Sequence, residues 1–119
     1  MKENAENSSP CQTTQDYIGE ADSWEGKSLY RALVLKAKEL DLAGATVFQG
    51  RMGYGANSRI HSASIIDLSD DLPLLVEIID SEEYIQKFLP YLDLMVKQGL
   101  VTVDDVEVIK YDRKQPSTH

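Results

Sequence analysis

A chain of 119 residues with 42% apolar and 27% charged side chains is long enough for one hydrophobic core and has the makeup of a globular domain. With 20 acidic against 12 basic residues the formal charge is −8, which argues against non-specific binding to nucleic acid or an anionic membrane, since no broad basic face can neutralise phosphates. Cys11 is the only cysteine, so no intrachain disulfide or zinc-binding thiolate cluster can form, and His61 and His119 are too few for most metal sites; with no apolar run long enough to span a bilayer and no signal-peptide core, a cytoplasmic location is expected.

Residues 1–12 and 113–119 are polar and aperiodic and read as flexible tails around one domain at 13–112. Thr13–Ile18 predicts a first strand, a weak one, because its residues offer little apolar surface. Gly19–Lys27 reads as a loop; Trp24 within it either covers the edge of the core or walls a ligand cleft. From Ser28 to Leu40, apolar residues recur at spacings of three and four and predict an amphipathic helix, which Ala43-Gly44 ends. Ala45–Gln49 predicts a strand running into Gly50–His61, and Ser62–Leu68 a short strand or hairpin arm.

Asp70-Asp71-Leu72-Pro73 signals a turn, and Leu74–Ile79, nearly continuous apolar, predicts a central buried strand. Ser81 offers an N-cap to a second helix, with Glu82 and Glu83 in its first turn, where the dipole favours them. Ile85, Phe88, Leu89, Leu92, Met95 and Val96 share one face of that helix; Pro90 is expected to kink it and Gly99 to end it after Lys97. Thr102–Asp105 reads as a turn and Val106–Tyr111 as the last strand.

The order strand, helix, strand, long loop, strand, helix, strand predicts an α+β, ferredoxin-like β-α-β-β-α-β fold: a four-stranded antiparallel sheet with two helices on one face. Nothing is left to cover the other face. Tyr17, Phe48, Val76, Ile78 and Val108 compete for the two faces, so oligomerisation through the sheet is expected.

The functional stretch is Gly50–His61. It holds three of the 7 glycines with Arg51, Asn57, Ser58, Arg59 and His61, and no carboxylate occurs from Leu42 to Ile66. Flexible backbone, free N–H donors and a guanidinium suit a small anionic ligand. The bland reading is a hairpin connection with solvated arginines. Arg59 and His61, two apart, share a side if the segment is extended, where Arg can fork onto a phosphate and His can donate to it or to a ribose hydroxyl; otherwise Arg59 pairs with an acid of a neighbouring subunit. No P-loop string is present, and Ser58 or Ser62 beside His61 is a poor nucleophile pair because sequence neighbours seldom meet in that geometry.

Ile-Gly-Glu-Ala-Asp-Ser-Trp-Glu-Gly-Lys-Ser-Leu-Tyr (Ile18–Tyr30), the run Ala43–His61 centred on Gln-Gly-Arg-Met-Gly-Tyr-Gly, and Asp-Leu-Pro-Leu-Leu-Val-Glu-Ile-Ile-Asp (Asp71–Asp80) resemble the uncharacterised prokaryotic P-II-like family, over about Tyr17 to Tyr111. The resemblance implies a homotrimer, adenine nucleotides bound in clefts between subunits, no known reaction, and a loop (here Arg51–His61) that touches an unidentified target protein and changes shape with ligand. The chain departs from true P-II proteins in its polar first strand and in lacking a glycine-rich phosphate loop before the second helix, since Leu74–Tyr84 contains no glycine. Gly53 and Gly55 are the replacement it suggests. The ligand candidates are then Arg51, Gly53, Gly55, Asn57, Ser58, Arg59, His61, Trp24 and Lys110, with no catalytic or metal residue and no cofactor beyond the nucleotide ligand. The alternative is a small isomerase or hydrolase using His61 as acid or base.

Overall fold

The computed structural model describes residues 10–53, the backbone of 61–62, and residues 72–111. The main elements are β1 (Cys11–Gly19), α1 (Leu29–Glu39), β2 (Gly44–Gln49), β3 (Pro73–Ser81), α2 (Glu82–Met95) and β4 (Leu100–Val106). The four strands form one antiparallel sheet in the order β2-β3-β1-β4. Two helices cover one face, which is the ferredoxin-like arrangement expected from the order of elements.

The core follows from two periodicities. Leu29, Leu33 and Ala37 on α1 and Ile85, Phe88, Leu92 and Met95 on α2 recur at helical spacing and are buried. Beneath them lie Leu74, Val76 and Ile78, every second residue of β3. Full burial of such a side chain contributes about 1.5–3 kcal/mol, so this layer supplies most of the drive to fold. Val76 and Ile78 thus do not compete for the bare face. They belong wholly to the core.

Ser81 caps α2, its Oγ accepting from the Tyr84 N–H at 3.4 Å, and Glu82 and Glu83 occupy the first turn as expected. The helix runs unbroken through Pro90, which lies on the exposed side. The Gln86 carbonyl that its missing N–H would have served is also on the exposed side, where water can take over. α2 stops at Met95, two residues before Lys97, with the Val96 N–H closing on the Leu92 carbonyl at 2.9 Å. α1 ends earlier than Ala43-Gly44: Asp41 takes the left-handed conformation (φ 64), Leu42 N–H bonds the Ala37 carbonyl at 2.9 Å and Asp41 N–H that of Lys38 at 3.0 Å. That is a Schellman end with aspartate where glycine is usual, and Leu42 closes it by joining the core.

Two assignments need correcting. Thr102–Asp105 is not a turn but the middle of β4, and Val106–Tyr111 is not a strand beyond Val106. Pairing decides this: β4 lies along β1 from Leu100 opposite Tyr17 to Val106 opposite Cys11, where β1 begins, so later residues have no partner there. Val108 therefore has no place in either sheet face. β1 itself starts at Cys11, two residues before the expected strand, and despite its polar sequence it is a central strand, paired on both sides.

The face without helices, on which Cys11 and Thr13 are nonetheless buried, carries one exposed apolar row. Phe48 stands opposite Leu75, Leu75 opposite Tyr17, and Tyr17 opposite Leu100, across all four strands. Phe48, Tyr17 and Leu100 remain 49%, 44% and 58% exposed. The next row, Thr46, Glu77, Gln15 and Thr102, is polar, with Thr102 donating to Gln15 at 2.8 Å. No described helix is long and apolar enough to cross a membrane.

Candidate functional site

Three connections converge at the end of the sheet marked by Gly19, Gln49, Pro73 and Leu100. The first, expected as plain loop, folds into a small ribbon. Gly19 N–H donates to the Asp22 carboxylate at 2.9 Å, and Leu29 N–H to the Asp22 carbonyl at 2.8 Å. Ser23–Trp24 then pairs with Lys27–Ser28 around Glu25 (φ 50) and Gly26 (φ 79). Two positive φ values in a two-residue tip make the primed turn whose twist suits a hairpin, and glycine supplies one of them without strain. The ribbon holds Trp24 half-buried against the core, so it covers the core's edge while keeping one side open.

The second connection is the root of the long loop. Gln49 Nε2 donates to Glu20 Oε1 at 3.4 Å, Glu20 N–H to the Leu72 carbonyl at 2.8 Å, and Gly50 N–H to the Pro73 carbonyl at 2.7 Å. A Cβ on Gly50 would sit 2.9 Å from Pro73 Cγ, and one on Gly53 3.4 Å from the same atom. Among the described glycines only Gly26 and Gly99 have positive φ, so Gly50 serves close approach to Pro73 and not an unusual dihedral, whereas a Cβ on Gly53 would meet Pro73 only at ordinary contact distance. Met52–Gly53 then pairs antiparallel with His61–Ser62. Arg51 is exposed beside that root.

The third connection links α2 to β4. A Cβ on Gly99 would lie 2.6 Å from the Tyr17 carbonyl oxygen, so only glycine lets this turn press against β1. Lys97, within it, places its ammonium 5.9 Å from the centre of the Trp24 ring. Of this cation–aromatic pair, Trp24 was among the expected site residues and Lys97 was not. Its only signals were a lone tryptophan in a turn-rich stretch and a lysine past a helix end.

The structure thus brings Trp24, Arg51, Gly53 and the backbone of His61 to one end of the sheet and adds Lys97. Lys110 is elsewhere. It follows β4 at the opposite end, where the neighbouring Tyr111 hydroxyl donates to the Ala43 carbonyl at 3.5 Å. Gly55, Asn57, Ser58 and Arg59, and with them the expected pairing of Arg59 and His61 on one side, lie outside the described residues. An aromatic face with cations at the same end can stack a flat ring and hold an anion.

Comparison with known proteins identifies the family and the fold. The family model DUF190 (uncharacterized ACR, COG1993) matches residues 12–108. The UPF0166 protein of Aquifex aeolicus (strain VF5) is 45% identical over 94 residues, covering 78% of this chain and 88% of the relative. Among solved structures, the fold matches that of CPII, a nitrogen regulatory PII-like protein from Thiomonas intermedia K12 bound to ADP, AMP and bicarbonate, with a TM-score of 0.56 at 18% identity over 85% of this chain and 90% of that one. It also matches the B. subtilis GlnK–ATP complex, with a TM-score of 0.54 at 12% identity over 82% of this chain and 83% of that one.

Proposed function

We propose that this chain, which belongs to the DUF190 family and has the PII-like fold, is a regulatory protein. In this reading, three copies assemble through the uncovered sheet face, an adenine nucleotide binds in the clefts between them, and the 50–61 segment meets a target protein in a ligand-dependent way. The observation that carries the reading is the long β2–β3 connection, fastened to Pro73 at its root and paired there as a short ribbon, on a fold that holds ADP in CPII and ATP in GlnK.

The residues fit such a ligand as follows. Arg51 at the loop root and Arg59, eight residues later in sequence, supply guanidinium forks for phosphate, with Gly53, Gly55, Asn57, Ser58 and His61 offering backbone and side-chain donors. Trp24 supplies a face for the base, and Lys97 reinforces the anion. Since Lys110 sits at the other end of the sheet, a site that uses both Trp24 and Lys110 takes them from two chains. That is the expected composition of a cleft between subunits.

Native mass spectrometry of freshly purified protein, followed by titration calorimetry with ADP and ATP, tests the reading. The expected result is a trimer that carries or takes up one of these nucleotides and returns it unchanged after long incubation. A stable monomer that binds neither overturns it. Steady conversion of the bound nucleotide would replace the regulator with an enzyme.

A further inference from the structure

β1 carries a carboxyl group where water does not reach. Asp16 lies on the helix-covered face of the sheet, between Val76 of β3 and Val101 of β4. It has no accessible surface, and neither carboxyl oxygen has a hydrogen-bond partner. The Thr14 hydroxyl, two residues away on the same face and also fully buried, is likewise unpartnered. Asp80 makes the contrast. It too is buried on this face, yet its Oδ2 accepts from Ala43 N–H at 2.7 Å and its Oδ1 from Ser81 N–H at 2.6 Å.

The surroundings of Asp16 are apolar. The inward side chains of α2 are Ile85, Phe88, Leu92 and Met95, and those of α1 are Leu29, Leu33 and Ala37, none of which titrates. The titratable groups nearest by position are Asp80 and Asp105, both opposite Gln12 on the same sheet face, and Tyr30, Tyr84 and Tyr91 at the margin of the core. Lys36 is drawn to the Tyr91 ring, 5.0 Å from its centre. With no donor on either oxygen and no cation against it among the described residues, a buried carboxylate is strongly disfavoured, whereas the neutral acid loses far less on leaving water.

We propose that Asp16 is a proton-binding site built into the centre of the sheet: it is held as the neutral acid in the folded chain and releases its proton to solvent only at the expense of the fold. Burial pushes its carboxyl from 3.8 up to about 7, and the Thr14 hydroxyl offsets part of that rise without completing a hydrogen bond. The sign follows from linkage. Between the unfolded value of 3.8 and the folded value of about 7, the folded chain binds one proton more than the unfolded chain. The stability it contributes is therefore full below the lower value, falls as pH rises toward the upper one, and stays lost above it. This inference is independent of the nucleotide reading.

Urea unfolding of the full chain and of Asp16→Asn from pH 5 to 8 tests it. The ratio of the two unfolding constants should change by about tenfold per pH unit below the folded value, the wild type losing ground as pH rises, and then level off. A ratio that stays constant overturns the proposal. Should the variant not fold, infrared spectra of wild-type protein labelled with carbon-13 at aspartate carboxyls decide. A protonated carboxyl band should persist at pH 5.5, when exposed aspartates are ionised, and fade toward pH 8; its absence at pH 5.5 overturns the proposal.

Discussion

Leu100→Ser should loosen the proposed assembly while leaving the monomer folded. Leu100 ends the apolar row on the bare sheet face and is 58% exposed in the single chain. Fully burying a leucine is worth about 1.5–3 kcal/mol, so roughly 1–1.5 kcal/mol remains to be gained when another subunit covers it. Over the copies of a trimer this sums to about 3–4.5 kcal/mol, or about 150- to 1,500-fold in the association constant. The fold should hardly notice, because exposed substitutions usually stay within about 0.5 kcal/mol. Leu35 on the outer side of α1 is 59% exposed and provides a matched control. Leu35→Ser removes the same side chain at the same exposure from a surface outside the sheet. Sedimentation velocity over a concentration series reads both. An assembly unchanged by Leu100→Ser, or weakened equally by Leu35→Ser, would rule out the apolar row as the interface.

Gly50→Ala should destabilise the chain by about 1–3 kcal/mol in urea, because its Cβ would meet Pro73 Cγ at 2.9 Å and the Pro73 carbonyl oxygen at 3.3 Å; adding Pro73→Ala should recover part of the loss, and a strictly additive double mutant would refute the contact. Ser81→Ala should cost about 0.5–1 kcal/mol, the lower part of the range for an N-cap, since its bond to Tyr84 N–H is long at 3.4 Å; denaturant midpoints check it. Arg59→Ala should weaken nucleotide binding about 10- to 150-fold with the trimer intact, and Arg59→Lys should recover only part of this because an ammonium lacks the fork. Calorimetry run beside light scattering separates that outcome from an Arg59 whose loss dissociates the subunits instead.

The sequence displays the helices and β3 plainly, since their apolar residues repeat at helical spacing or run without interruption. The edge strand β4 is hidden, and for a physical reason. A strand paired on one side and half exposed needs no continuous apolar pattern, so Asp104 and Asp105 imitate a turn, and only the partner β1 fixes where it lies. β1 misleads in the opposite sense: its threonines and Asp16 suggest a weak strand, yet Thr13, Thr14 and Asp16 are buried at the sheet's centre. Of the candidate site the sequence displays glycines and cations between β2 and β3, of which Gly50, Arg51 and Gly53 lie among the described residues. What composition could not tell is that Gly50 answers to Pro73, a residue more than twenty positions along the chain, or that Lys97 would meet Trp24.

β1 also explains why the two faces of the sheet make opposite demands. Its helix-side residues are Gln12, Thr14, Asp16 and Ile18, polar but for the last, while Tyr17 on the other side belongs to the apolar row. A polar core side costs least while Asp16 stays neutral, and an apolar outer side gains most from another surface. Both terms act on the stability of one central strand. Assembly, if its interface does not itself titrate, adds the same stabilisation at every pH. In the assembled protein the slope due to Asp16 should therefore persist unchanged, while the whole stability curve moves upward. A proton site that limits the single chain at neutral pH thus becomes harmless once the row of Phe48, Leu75, Tyr17 and Leu100 is covered.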